Sequence, residues 1–429
     1  MSKMRTGQII QLSLAAIILG AAPAGAADLK PPPQRNTDTP MLACPEYGAG
    51  FLRLPGHDVC LKASIDVTFE MKIDAAKQDI RIETARTDNE PYAYYYKLKL
   101  DRSADRLTMR IDPRINFMTV SRVGDNPLIT FTSFRTGQML TAANGRTNET
   151  SSSEHLQIDQ AWIKYLGFTA GKHPSFFNFS PGYTYSGGYA SQTNLNLFAY
   201  THTFGKTASL SLAVEDANER RTEDGVWSAY GGQRMPDIVA QARYLPSWGI
   251  VHAAAALHEI PDSIGITSSL AYAASAGIEV RQKWADMFGA AAADTYGRFL
   301  LNGAYTNGAL SYLAIPKFGT DYITDADGKI RKTRGYSAVA SYEHVWKPNF
   351  KTTLSYSVYA INSDLPNFDM RVRGSLAQVG AEYMPVPGLM VGTELNYFRD
   401  SVRTIHFGVP ADRDKVEIFT GYAYIRRRI

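Results

Sequence analysis

Cysteine is scarce: the 429-residue chain has two, Cys44 and Cys60. That excludes a disulfide-dense scaffold. With no second Cys pair or His pair near them, it also argues against a metal site. In an oxidising compartment the two cysteines are expected to form one disulfide closing a short loop, the alternative being two free thiols. Beyond the first two dozen residues there is no run of eighteen apolar residues, which excludes a transmembrane helix in the remainder. Neither sign of charge dominates. Lys and Arg total 45, Asp and Glu 41, and the net +4 is too small to point to nucleic acid. Catalytic signatures are missing too. There is no G-x-S-x-G, no H-E-x-x-H and no Walker loop, and the 8 His are scattered. Asp325-Ala326-Asp327-Gly328 has the opening of a calcium loop without its remaining ligands and reads as a plain turn. No enzyme activity, cofactor or metal is expected.

What is present begins with an export signal. Lys3 and Arg5 carry the positive charge, Ile9 to Gly20 form the apolar stretch, and Ala24-Gly25-Ala26 offers a cleavage site. Residues 1–26 are therefore read as a signal peptide and Ala27 as the mature start, the alternative being an uncleaved anchor. Residues 27–60 read as an exposed periplasmic arm, rich in proline, followed by the Cys loop.

From Leu61 to Lys72 the chain alternates. Leu61, Ala63, Ile65, Val67, Phe69 and Met71 share one face, and Lys62, Ser64, Asp66, Thr68, Glu70 and Lys72 the other. The pattern returns in Arg110–Arg122, with Arg110, Asp112, Arg114 and Asn116 on the polar face. It returns again in Thr207–Glu215, Tyr336–Glu343, Thr352–Ala360, Ser375–Tyr383, Leu389–Phe398 and from Lys415 to the end. Short turns such as Pro246-Ser247 and Pro385 to Gly388 alternate with longer polar loops at 136–155, 216–235, 316–334 and 399–412. Aromatics gather at strand ends: Tyr342, Trp346, Phe350, Tyr383, Tyr397, Tyr422 and Tyr424. Helices and closed barrels are the two ways to span lipid. Two-faced strands, alternating turn lengths and aromatic girdles predict the second, over residues 61–429. A soluble sandwich or propeller is the alternative. The slightly negative mean hydropathy of −0.23 is compatible with strands that are apolar on one face only.

One stretch interrupts the pattern. Between the strand-like segments 156–171 and 195–204, residues 173–193 are rich in Gly, Ser, Pro, Asn and aromatics. Loops this long are uncommon unless they have a function. This one has too much aromatic surface for a solvent tether, and a barrel lumen is where it would fold. From Lys172 to His202 it contains no Asp or Glu at all.

Several blocks resemble the alphaproteobacterial general porins, a family of trimeric sixteen-stranded outer-membrane channels. They are the start ADLKPPP, the segment from Cys44 to Lys62, Asp159-Gln160-Ala161-Trp162-Ile163, Gly167-Phe168-Thr169-Ala170-Gly171-Lys172, Ser175-Phe176-Phe177-Asn178-Phe179, and Asn196-Leu197-Phe198-Ala199-Tyr200. The resemblance spans essentially the whole chain. It implies an all-β transmembrane antiparallel barrel of about 16 strands, narrowed by an inward-folded loop at about 173–193. It implies a homotrimer in the bacterial outer membrane, in contact with lipid and lipopolysaccharide and inserted by the barrel-assembly machinery. Its task would be passive diffusion of small hydrophilic solutes and ions. A substrate-selective sugar or organic-anion channel, or a plugged structural or adhesive barrel, are the alternatives. The sequence departs from the family pattern in ending on Ile429 rather than Phe.

A channel needs a wet lumen, a constriction and charges that bias permeation. Arg110 and Arg114, joined by Lys62 and Lys164, are expected on a basic wall facing the uncharged loop. Phe176, Phe177, Tyr183, Tyr185 and Tyr189 are expected at the constriction. The plain alternative is that the phenylalanines wedge the loop in place and the arginines sit near a rim.

Overall fold

The computed structural model describes residues 42–83, 95–100, 107–140, 152–221, 231–232, 234–261, 268–283, 295–315, 320–325, 329–365, 368–406 and 409–429. The signal peptide, the arm up to residue 41 and residues 326–328 of the Asp-rich turn lie outside them.

Sixteen antiparallel strands make one sheet closed on itself. They are β1 (Val59–Glu83), β2 (Leu107–Val123), β3 (Asn126–Leu140), β4 (Ser152–Tyr165), β5 (Phe168–Pro174), β6 (Asn194–Phe204), β7 (Ala208–Glu215) and β8 (Asp237–Tyr244). Then come β9 (Gly249–Pro261), β10 (Ser268–Lys283), β11 (Tyr296–Asn307), β12 (Arg334–Lys347), β13 (Phe350–Leu365), β14 (Phe368–Val386), β15 (Leu389–His406) and β16 (Val409–Arg428). Tyr95–Leu100 continues β2 along the same side of β1, and Leu52–Arg53 is a short addition to its start. Each strand pairs with the next, and β16 pairs back onto β1 from Asp66↔Arg428 to Arg81↔Arg413, which closes the ring. Ile429 completes the seam: its amide donates to the Ile65 carbonyl and its carbonyl accepts from the Ile65 amide. The apolar last residue therefore takes part in closure.

The alternation read from the sequence has the expected sense. Along β1, Ile65, Phe69 and Ile73 are 42%, 41% and 56% exposed, whereas Thr68 and Glu70 are 5% and 6%. Apolar side chains point out and polar ones point in. Leu354, Leu395 and Phe419 repeat the outward apolar face on β13, β15 and β16. Inward positions elsewhere carry Ser211, Gln241, Asn302, Ser341, Ser355, Gln378 and Asn396, all buried. A continuous apolar exterior around a polar bore suits lipid and not water. Phe204, Tyr244, Trp248, Tyr296, Trp346, Phe350 and Tyr383 are exposed near the short-turn end, and Tyr272, Tyr305 and Tyr336 toward the other, as two girdles. Among the described residues no helix is long and apolar enough to cross a membrane.

Three expectations need correction. Tyr422 and Tyr424 do not belong to a girdle. They share the inward phase of β16 with Thr420, opposite outward Phe419 and Ile425. The expected long loop at 399–412 is strand, because β15 runs to His406 and β16 starts at Val409. Cross-strand pairing carries the ladder outward; Arg399 faces Glu417 at 3.8 Å. The expected polar loop at 316–334 is partly structured and turned inward. A 3-10 turn at Leu310–Leu313 precedes a small hairpin of Tyr322–Thr324 and Ile330–Lys332. Leu310, Tyr312, Leu313 and Tyr322 are completely buried against inward residues such as Ile260, Tyr359 and Ile361. This segment fills one side of the long-loop end. Within it, Asp325 accepts from the Lys329 amide and pairs with Arg331, as a hairpin turn does.

At the short-turn end Cys44 and Cys60 are bonded. Their loop packs Phe51 with the inward residues Met118 and Val120 of β2. The Lys62 ammonium donates to the Ala49 carbonyl at 3.1 Å and lies over the Phe51 ring. The expected disulfide is present, and its loop covers part of the inner wall.

Candidate functional site

The connection between β5 and β6, residues 175–193, turns into the bore and follows the wall. At its root Glu215 of β7 accepts from Ser175 Oγ at 2.7 Å and from the Phe176 amide at 2.9 Å. Gln241 of β8 donates to the Phe176 carbonyl. Phe179 stacks flat on His252 of β9, with ring centroids 4.9 Å apart. Asn302 of β11 donates to the Ser180 carbonyl at 3.0 Å. Ser341 of β12 accepts from the Tyr183 amide at 3.0 Å. Gly182, with φ of 102°, makes this approach possible, since a Cβ there would lie 2.9 Å from Ser341 Oγ. Tyr183 donates its hydroxyl to Glu279 of β10 at 3.0 Å, under the Arg298 guanidinium.

The tip is bound most densely. Glu394 of β15 accepts from the Tyr185 amide at 2.5 Å, the Ser186 amide at 3.2 Å and Ser186 Oγ at 2.5 Å. Gln378 of β14 and Asn396 of β15 donate to the same Ser186 hydroxyl. Tyr185 then reaches β1, donating to Glu70 and stacking on Tyr424 at 3.9 Å. Burial first, then the neighbouring carboxylates, raises both the Tyr183 and Tyr185 hydroxyls well above the ordinary tyrosine range. Both remain donors.

The loop thus runs along the strands from β7 round to β1. The wall from β16 through β1 and β2 to β3 carries arginines on adjacent inward positions, and the loop tip meets it at Tyr424 and Glu70. Arg428 and Arg426 of β16 pair with Asp66. Arg110 of β2 pairs with Glu70 at 2.9 Å, and Arg135 of β3 with Asp159 at 3.4 Å. Arg114 is registered opposite both Asp66 and Arg135 and has no hydrogen bond or ion pair among the described residues. Hydrogen-bonded carboxylates beneath the loop therefore adjoin a row of arginines.

The residues expected from sequence divide into three groups. Arg110 and Tyr185 meet at Glu70, Arg114 lies two inward positions along β2 from Arg110, Tyr183 sits against Glu279 and Arg298, and Phe176 is at the loop root, half-buried and stacked on His173. Lys62 and Lys164 do not join them. Lys62 is held by the Cys loop, and Lys164, paired with Ile129 beside the short turn, is exposed near that end. Phe177 and Tyr189, 2% and 8% exposed, present no surface to the bore. Phe177 packs edge-on against Tyr312 and Tyr189 against Tyr359, so both wedge the loop. The wall acids Glu70, Glu215, Glu279 and Glu394 were missed, as were Arg135, Arg426 and Arg428. The triple arginine at the end reads as an interfacial cluster when taken as a charge run. Carrying the period of two back from Tyr422 and Tyr424 would have turned Arg426 and Arg428 inward. The nearest approach to a metal-ligand cluster among the described residues is Cys44, Glu46 and Cys60, whose sulfurs are already bonded to each other.

Comparison with known proteins agrees with this geometry. Porin Omp2b of Brucella suis is 27% identical over 256 residues, 56% of this chain and 62% of that protein. Porin Omp2a of Brucella ovis is 25% identical over 252 residues, 56% of this chain and 67% of its own length. The chain thus spans somewhat under two thirds of Omp2b, the first of these curated relatives. The outer membrane channel DcaP of Acinetobacter baumannii superimposes with a TM-score of 0.60 at 14% identity, over 86% of this chain and 97% of that one, a likeness of fold. Residues 40–417 match the family described as the Porin subfamily. A match over that length, on a closed barrel with a loop folded into its bore, places the chain in this porin family.

Proposed function

We propose that the protein is a bacterial outer-membrane porin, a water-filled channel for passive diffusion of small hydrophilic solutes and ions. One observation carries the reading: the inward loop is bound along β7 to β1 and leaves the arginine-bearing strands β2 and β3 uncovered, so the bore is narrowed. Polar groups line both sides of the gap. Arg114, without an ion pair among the described residues, favours anions beside the ion-paired Arg110, Arg135, Arg426 and Arg428. Neutral sugars and anions then pass at least as well as cations.

The assembly is a homotrimer in this reading. A flat patch on the outer face supports close packing of copies: Ala242, Ala253, Ala276 and Gly303 lie in register across β8 to β11, with Ala240, Ala255 and Ala274 beside them. Small side chains let two apolar surfaces approach closely. Lipid and lipopolysaccharide would surround the rest.

Planar-bilayer recording of the purified mature protein tests the channel. Steady conductance steps are expected, with liposome swelling that falls with solute size and is indifferent to stereochemistry. Saturation by one sugar or organic anion would show the selective alternative. Absence of steps would show a plugged barrel.

A further inference from the structure

We infer that the disulfide loop and the arginine wall together form a binding site for a small aromatic carboxylate at the short-turn end of the bore. The site lies on the short-turn side of the constriction and shares Arg114 with its wall. A cavity of about 520 Å³ opens between the Cys loop and the inner faces of β1 to β4. Phe51, Met118 and Phe131 make one side of it apolar. Arg114, Lys62, Asp66 and Arg428 bring charge to its lining.

One of these polar groups lacks a partner. Arg114 has none among the described residues, although its guanidinium carries five donors, which leaves it open to an acceptor entering the cavity. The acid of the recess is Asp66, already paired with Arg428 at 2.8 Å. What remains is positive: Arg114 and the Lys62 ammonium. The complementary ligand has a carboxylate for Arg114 and a flat apolar body for the phenylalanines. Arginine suits a carboxylate because its fork matches both oxygens. The Cys44–Cys60 bond fixes the loop that carries Phe51.

Equilibrium dialysis of the detergent-purified full-length mature protein tests the site, with benzoate as the probe. Benzamide, which has the ring without the charge, and acetate, which has the charge without the ring, serve as controls. Saturable benzoate binding is expected, with both controls at least tenfold weaker. Arg114→Gln and Phe51→Ala are each expected to weaken benzoate at least tenfold, their folding checked by heat-modifiable gel mobility. Should Arg114→Gln fail to fold, Arg114→Met gives the same reading, with a tenfold loss expected. No saturable binding, equal binding of benzamide, or binding indifferent to these substitutions would overturn the inference. The readout does not need conduction. A protein that conducts without binding benzoate refutes this site alone, and one that binds it without conducting refutes the channel reading alone.

Discussion

The Tyr185 hydroxyl donates to Glu70 Oε2 at 2.5 Å, and the same oxygen accepts from Arg110 at 2.9 Å. One carboxylate thus joins the tip of the inward loop to the arginine wall it meets. A hydrogen bond to a charged group contributes about 1.5–3 kcal/mol. Tyr185→Phe keeps the stacking on Tyr424 and removes that bond. Single-channel current in a planar bilayer is expected to become noisier, with a higher mean conductance. An unchanged trace would mean that the tip is held without Glu70.

Glu394 is the larger anchor, since it takes three hydrogen bonds from Tyr185 and Ser186. Glu394→Ala leaves those donors unpaired at about 1–3 kcal/mol each. The loop is expected to become sensitive to limited proteolysis in detergent while the barrel stays intact. A loop as resistant as in the parent protein would contradict the anchoring role.

The pH dependence follows from the tyrosines. Both Tyr183 and Tyr185 are raised in the folded protein above the unfolded value of about 10. A raised group contributes stability that is complete below its unfolded value and is lost as pH rises through its folded one. Conductance is therefore expected to hold steady from neutral pH to about pH 10. It should rise only well above that, where the folded-state hydroxyls ionise beside Glu279 and Glu70. A rise near pH 8 would point to other groups.

Arg114 sets part of the charge bias. A unit charge about 10 Å from a permeating ion acts with roughly 0.4 kcal/mol in water, reduced by salt. Arg114→Gln is expected to lower the chloride-to-potassium permeability ratio by about twofold at 0.1 M salt. The reversal potential in a KCl gradient measures it. An unchanged reversal potential would show that the arginine is screened or turned away.

The second inward segment is tied to the wall at Asp237. Tyr312 donates to Asp237 Oδ2 at 2.6 Å, and His258 Nδ1 lies 2.7 Å from Oδ1, all three residues being buried. Tyr312→Phe removes one partner from a buried carboxylate, and a loss of about 1–3 kcal/mol is expected. Thermal unfolding followed by heat-modifiable gel mobility reports it. An unchanged midpoint would mean that Tyr312 acts through packing alone.

Much of this was legible in the sequence, and the limits have physical causes. A period of two is a local signal, so the two faces of β1 follow from Lys62 to Lys72 without knowledge of any partner. The inward loop showed itself because six aromatics in a Gly- and Ser-rich stretch need something to pack against. Its partners were not legible. Glu394 meets Ser186 across 208 positions, and nothing near either residue marks the other. Likewise Leu310 to Tyr322 looks like an ordinary outer loop until Ile260 and Ile361 are seen to cover it. Lys62 was given the right face but not its height along the bore, which depends on where the Cys loop comes to rest.

A cylinder one strand thick resists stretching through its ladder but yields easily to squashing. The segment from Ser175 to Asn194 is fastened at points spread round the circumference, from Glu215 to Glu70. It acts as an internal strut. Cutting it free would alter the cross-section of the tube itself, so damage at the throat should be felt as ovality far from it.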